Sequence, residues 1–406
     1  MFSPYTYMGV VGGFAPYLQI KIYLYIMDNS LIVRHATVPV NAKPDNQYTP
    51  FDNIDFTLDF NGRAILMNSI KLSGRVGVRN GADRPTVPVT LDESIGAHGF
   101  FDTITSSTES QGTLETIQEY ARYVGMKSDT TKSVSDMGGN LSSVVELKTF
   151  NRQIAGQILM MGETSVPTGA DGGEYDDDLS FVISPDIIFN NAQGATDPDD
   201  VRVSYTKTGS LKLSLRVARV NEALYGPGVG ATTAFTLSDV KCHFLTLPDA
   251  NPKNQVVSEV KAHVKQTILS TQSNLSVRVP MVATSFSATF LPAGDESQAT
   301  TNVRRRRAIN DMDNLQFLFN NNTMELITYE LNDRSEILRH YLASMGTGKK
   351  NQVAPYINSG QDGYGIGLAF QPIDLTNNSF NVNLEAESFQ NNPHILYAYF
   401  KGILAL

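Results

Sequence analysis

Ser210-Leu211-Lys212-Leu213-Ser214-Leu215 alternates apolar and polar residues and is followed, after a loop, by a second β-prone run at 235–247. Near the other end of the chain, Ser379-Phe380-Asn381-Val382-Asn383-Leu384 does the same and is followed by a run at 395–404. A period of two places one face of a strand in a core and the other toward solvent. Two distant stretches that close in the same way predict an internal duplication of element order, without repeated identity.

Working outward, the same signal recurs. Ile54, Phe56, Leu58 and Phe60 alternate with Asp55, Thr57 and Asp59, then Asn61-Gly62 gives a hairpin signal before a β-prone run at 65–78. Gly, Pro, Asn and Asp clusters separate such runs, the punctuation of an antiparallel protein. Only two segments read as helices. At 113–126, Leu114, Ile117, Ala121 and Val124 share a face, Gly112-Thr113 opens the segment and Gly125 closes it. At 333–345, Asp333 and Glu336 form a capping-box-like start, Ile337, Leu338, Tyr341, Leu342 and Met345 form the stripe, and Gly346 is the stop.

The order is more telling than the number. After the linker Pro248-Asp249-Ala250-Asn251-Pro252, strands are expected at 256–268, 275–280, 284–290, 315–319 and 325–329, then the helix, then strands at 364–370, 380–386 and 395–404. The first half runs alike. About eight strands per half is the count of a jelly roll, two packed sheets burying alternate residues. The expected fold is therefore all-β: two tandem eight-stranded antiparallel jelly-roll sandwiches, each with one short helix. The boundaries are an N-terminal arm at 1–29, a first jelly roll at 30–248 and a second at 249–406. The first carries an acidic, glycine-rich loop insertion around Thr168–Asp178 and Thr196–Asp200.

Composition limits the function classes. The 406 residues carry only 18% charged positions, one Cys, no Trp and a net charge of −9. A lone Cys242 excludes a disulfide framework and an all-Cys metal site. The acidic balance argues against specific nucleic-acid recognition. The apolar N-terminal stretch lacks a basic start and a small-residue cleavage site, and Pro16, Gln19 and Lys21 interrupt it as a membrane span. It reads as a strand or ordered arm, with contact to a partner or membrane surface and a cleaved signal as alternatives. Met27-Asp28-Asn29 would also serve as a start.

No catalytic constellation emerges. His35, His98, His243, His263, His340 and His394 are scattered without ligand spacing, and Cys242 reads as a buried thiol. Gly346-Thr347-Gly348-Lys349-Lys350 lacks the first glycine of a phosphate loop and follows a helix instead of preceding one. Gly363-Tyr364-Gly365-Ile366-Gly367 enters a strand and reads as a turn or bulge. The Asp171–Asp178 tract is a solvated loop first and a calcium site second, since its spacing departs from an EF-hand. Arg304–Arg307 is a solvated loop, a contact to an acidic neighbouring subunit, or a nucleic-acid or protease recognition site. Asn140, Asn274, Asn321 and Asn377 satisfy the glycosylation pattern, which an Asn- and Ser-rich chain produces by chance. No catalytic, cofactor-binding or metal-binding residue is assigned, and no cofactor.

Two successive eight-stranded units, each interrupted late by one helix, resemble the double jelly-roll major capsid proteins of tailless icosahedral DNA viruses. That lineage includes the adenovirus hexon, membrane-containing phages and virophages. The segments at 113–126 and 333–345 and the paired closing strands carry the resemblance, which is one of architecture. It implies a non-enzymatic virion protein that forms a homotrimer of pseudo-hexagonal outline. It further implies partners among neighbouring capsomers, penton and minor capsid proteins, and an arm near an internal membrane or inner shell. The alternatives are a penton or minor capsid protein, against which the duplication argues, and a carbohydrate-binding or carbohydrate-cleaving sandwich. The latter would usually expose Trp, and a glycosidase needs two carboxylates about 5–10 Å apart.

Overall fold

The computed structural model describes residues 32–81, 89–92, 95–131, 143–145, 158–160, 179–193, 201–249, 256–269, 274–296, 312–328, 335–346, 365–386 and 388–406. Sixteen strands form its frame. The first eight are β1 (Val33–Thr37), β2 (Asn53–Leu58), β3 (Lys71–Asn80), β4 (Phe101–Thr108), β5 (Gly112–Ile117), β6 (Leu179–Ile183), β7 (Leu211–Val217) and β8 (Thr233–Pro248). The second eight are β9 (Val257–Ile268), β10 (Asn274–Val277), β11 (Val282–Pro292), β12 (Met312–Phe319), β13 (Asn322–Thr328), β14 (Ile366–Asp374), β15 (Phe380–Ala386) and β16 (His394–Ala405). Helix α1 (Tyr120–Thr131) follows β5, and helix α2 (Ser335–Met345) follows β13.

The pairing is the same in both sets. In the first, β1, β8, β3 and β6 lie side by side, and β2, β7, β4 and β5 form the facing sheet. In the second, the corresponding orders are β9, β16, β11, β14 and β10, β15, β12, β13. Each strand of the second set thus has the partners of the strand eight places before it. This wrapping of two four-stranded sheets is the jelly roll, made twice. Short strands at Gln47–Tyr48, Arg63–Leu66, Ser143–Val145 and Arg202–Ser204 extend the first sheet.

Alternation builds both cores. Leu211, Leu213, Leu215 and Val217 are buried while Lys212 and Arg216 are exposed. In the second sandwich Phe286, Phe317, Phe380 and Phe400 meet in one aromatic cluster with centroid separations of 5.0–6.0 Å. Offset and edge-on rings of this kind add to the stabilisation from buried area.

One sheet is shared between the sandwiches. Its order is β14-β11-β16-β9-β5-β4-β7-β2, and β5 meets β9 in parallel at Thr116 opposite Ala262. The core of the first sandwich lies on one side of this sheet and the core of the second on the other. Ile104 and Ile117 face the first core, while Ala398 and Phe400 face the second.

The structure corrects three expectations. The helix expected at 113–126 is a strand through Ile117, a turn at Glu119 with φ +51°, and only then α1, which runs through Gly125. A bulge at Leu114 breaks the alternation of the strand, so the spacing of three between Leu114 and Ile117 imitates that of a helix. Asn61-Gly62 makes a turn with Gly62 at φ +73°, but its flanking strands enter different sheets, so it is not a hairpin. The run at 65–78 is broken by Asn68, at φ +63°, into two strands. The second helix stands as expected, with Gly346 at φ +91° as its stop; Asp333 lies outside the described residues.

Candidate functional site: the seam between the sandwiches

The β9 sequence Glu259-Val260-Lys261-Ala262-His263-Val264-Lys265 puts Glu259, Lys261, His263 and Lys265 on one face. Tyr397, Tyr399 and Lys401 of β16 stand opposite them. This face turns away from the second core, and the first sandwich covers it.

Two pieces make the cover. Residues 184–193, after β6, run along β9: the Glu259 N–H donates to the Asn191 carbonyl at 3.0 Å and the Gln193 N–H to the Val257 carbonyl at 2.8 Å. The Ser258 hydroxyl donates to the Ile188 carbonyl. Helix α1 lies beside them. Its Arg122 guanidinium sits 4.0 Å from the Tyr397 ring centroid, Tyr123 packs on Tyr399 at 5.2 Å, and the Tyr399 hydroxyl donates to the Glu119 carbonyl at 3.0 Å.

Between the pieces lies a buried set of charges. The Lys261 ammonium, with its side chain 0% exposed, is 3.0 Å from Asp186 Oδ1 and 3.6 Å from Glu259 Oε1. Lys127 of α1 meets the other Asp186 oxygen at 2.7 Å, and Asn191 Nδ2 donates to Asp186 at 2.6 Å. Glu115 of β5 accepts from the backbone N–H of Ile188 and of Lys261, the latter at 3.1 Å, and from the Ser106 hydroxyl at 3.3 Å. One carboxylate therefore ties three segments from both sandwiches.

Each group titrates according to its surroundings. Burial lifts the Glu115 carboxyl to about 7, against the pull of Lys261 and of its backbone donors. Burial would raise Asp186 as well, but Lys127 and Lys261 overcome it and hold the carboxyl far below the usual range. Burial would lower Lys261, yet Asp186, Glu115 and Glu259 keep it above an ordinary lysine. Burial brings Lys401 down to about 8 and His263 to about 4. Buried pairs of this sort contribute register more surely than stability, because desolvation cancels most of their attraction. Lys261 is paired and enclosed, so its chemistry here is cohesion.

A cavity of about 260 Å³ opens beside the seam, with Val124 and Pro185 in its lining beside Asn68, His98, Lys127 and Asp186. Its walls satisfy one another: Asn190 Nδ2 donates to the Ile70 and Pro185 carbonyls, and His98 Nδ1 pairs with the Tyr120 hydroxyl at 2.9 Å. Asp102, Glu119 and Glu222 place carboxylate oxygens within 4.8 Å of one another, the one group among the described residues able to hold a metal ion. Lys265 and Arg219 already stand 3.6 and 3.8 Å from two of them.

The six histidines come together nowhere. His35 stacks on Phe244, His98 meets Tyr120, His243 pairs with Ser73, His263 stacks on Tyr399, His340 pairs with Arg339, and His394 Nδ1 lies against the Asn392 carbonyl. Cys242 is fully buried, and burial pushes its thiol up to about 12. Asn274, Asn321 and Asn377 are exposed, and Gly365 and Gly367 enter β14. The Asp171–Asp178 tract, Arg304–Arg307, Thr347–Lys350 and Asn140 lie outside the described residues. The seam itself was missed in the sequence. The three-cation row of β9 and β16 was the available signal, but nothing in it says which acids would meet it.

Among the described residues no helix is long and apolar enough to cross a membrane. No protein-family model matches the sequence, and no curated protein matches it. Solved structures do. The Faustovirus major capsid protein is similar over 92% of this chain and 90% of its own, with a TM-score of 0.52 and 10% identity. The PBCV-1 virus capsid chain is similar over 92% and 94%, with a TM-score of 0.52 and 9% identity. A chain of the Sputnik virophage structure is similar over 99% and 89%, with a TM-score of 0.50 and 11% identity. At such identities the likeness is one of fold, and it spans nearly the whole of each chain: this protein has the double jelly-roll fold of viral capsid proteins.

Proposed function

We infer that the chain is the major capsid protein of an icosahedral virus and that three copies form a capsomer of pseudo-hexagonal outline. The observation that carries this reading is the likeness over nine-tenths of the chain to the Faustovirus major capsid protein, both sandwiches included. The seam agrees with it. A shell subunit with two barrels needs them fixed in angle, and a shared sheet locked by buried charges does that without any cofactor.

Under this reading the chain is not an enzyme, its place is the virion shell, and its partners are its own copies, neighbouring capsomers, and penton and minor capsid proteins. The chain divides into an arm at 1–29 and jelly rolls at 30–248 and 249–406, and the arm faces an internal membrane or inner shell. The test is the native mass of the purified protein followed by electron microscopy. A stable trimer with a hexagonal outline is expected. A pentamer would move the protein to the vertex, and a monomer at every concentration would overturn the reading.

A further inference from the structure

The turn Phe60-Asn61-Gly62-Arg63 carries one of the two Asn-Gly pairs in the sequence; the other is Asn80-Gly81. In such a pair a backbone nitrogen reaches the preceding side-chain amide most easily, because glycine has no Cβ to stand in the way. Whether the two groups meet depends on what holds the Asn amide, the Gly N–H and the backbone between them. The structure treats the two pairs in opposite ways.

At Asn61 these groups are loose. Asn61 and Gly62 are both exposed, and the Arg63 N–H closes the turn by donating to the Phe60 carbonyl at 2.9 Å. The Asn61 backbone N–H donates to Asp59 Oδ1 at 3.1 Å, whereas its side-chain amide and the Gly62 N–H have no hydrogen-bond partner among the described residues. A Cβ built on Gly62 would meet nothing within 4 Å. The turn can therefore rotate into an attacking geometry without disturbing any packing.

At Asn80 every group is held. Its Nδ2 donates to the Gly228 carbonyl at 3.3 Å, and its Oδ1 accepts from the Thr233 hydroxyl at 2.5 Å. The Gly81 N–H donates to the Thr232 carbonyl at 3.0 Å. Asn80 is also the last residue of β3 and pairs with Thr233 of β8. Attack there requires this end of the sheet to open first.

We propose that Asn61 is a self-modifying site, which passes through a cyclic imide with Gly62 to a mixture of aspartyl and isoaspartyl residues while Asn80 stays intact. The Gly62 nitrogen gives its proton to solvent base and bonds to Asn61 Cγ; the side-chain nitrogen takes a proton from water and leaves as ammonia. Water then opens the ring. Breaking the new bond to Cγ restores the ordinary link, with a carboxylate in place of the amide. Breaking the original bond to the α-carbonyl leaves the chain running through the side chain, with a free α-carboxylate. Nothing is oxidised: one water enters and one ammonia leaves. Either product adds a negative charge beside Asp59, just before Arg63, whose guanidinium holds the Thr246 hydroxyl of β8 at 2.8 Å. Because the turn is open at Gly62, the fold is retained and the charged forms accumulate. The proposal concerns the chain itself and does not rest on the capsid reading.

Full-length protein aged in mildly alkaline buffer, digested in acid and read by peptide mass spectrometry tests it. The peptide holding Asn61 is expected to gain about one dalton and to split into two chromatographic forms, one of them labelled by an isoaspartyl methyltransferase. In heavy-oxygen water each form carries a solvent oxygen. The peptide holding Asn80 is expected to change at least about tenfold more slowly, because its hydrogen bonds must break first. In urea the two rates are expected to converge. Asn61→Gln, whose longer side chain closes a larger ring far more slowly, is expected to abolish the change at this position and to keep the wild-type melting temperature. An Asn61 that changes no faster than Asn80 in the folded chain overturns the proposal, as does a difference between them that persists in urea.

Discussion

Glu115 is the residue at which the sandwiches meet most tightly, and its titration can be followed. Its folded value of about 7 lies above the ordinary 4.5, so its contribution to stability is full below about pH 4.5 and is lost as the pH rises through about 7. Asp186, held low, contributes above its ordinary 3.8 and loses that only in strong acid. His263, lowered to about 4, works against Glu115 between pH 4 and 6.5 because the unfolded chain binds its proton first. The telling measurement is therefore a difference. Glu115→Gln carries a neutral amide in place of the neutral acid present at pH 5 and cannot titrate. Its stability relative to wild type, read from melting curves, should therefore rise between pH 5 and pH 8. Lys261→Met leaves Asp186 with Lys127 alone and is expected to cost about 3–5 kcal/mol in a denaturant titration. Neither role was legible in the sequence. Glu115 fell within the segment expected to be a helix and Lys261 within the strand expected at 256–268, while Ile188 and Asp186, which meet them, are more than 70 residues away in sequence.

At the scale of elements, strands of period two were read to within a few residues: 211–217 and 380–386 coincide with β7 and β15. The first helix was misplaced because a bulged strand, a turn and a helix in succession share a spacing of three and four. Its Thr113, Thr116 and Ile117 were the neglected warning, since β-branched residues favour strands. Helix α2 shows what a strand must give up to be covered. A Cβ on Gly367 of β14 would come within 2.2 Å of Ser344 Oγ, whose hydroxyl is hydrogen-bonded to Ser287 at 2.8 Å. Gly367→Ala is expected to push α2 off the sheet and cost about 1–3 kcal/mol, seen as a lower melting temperature with the strand signal retained.

For the whole molecule, the duplication and the count of strands were legible in order alone, whereas the sharing of one sheet was not, because a single parallel bridge leaves no periodic trace. That bridge and the charges around it couple the halves. One cooperative transition is therefore expected in calorimetry, where independent sandwiches would give two. Lys261→Met is the variant expected to split it. The shared sheet has a further consequence, one of angles. A closed ring of barrels accumulates any error in the turn from each barrel to the next. In the proposed capsomer, a turn fixed within the chain would remove that freedom from half of the steps, and copies meeting for the first time would have only their mutual contacts left to find.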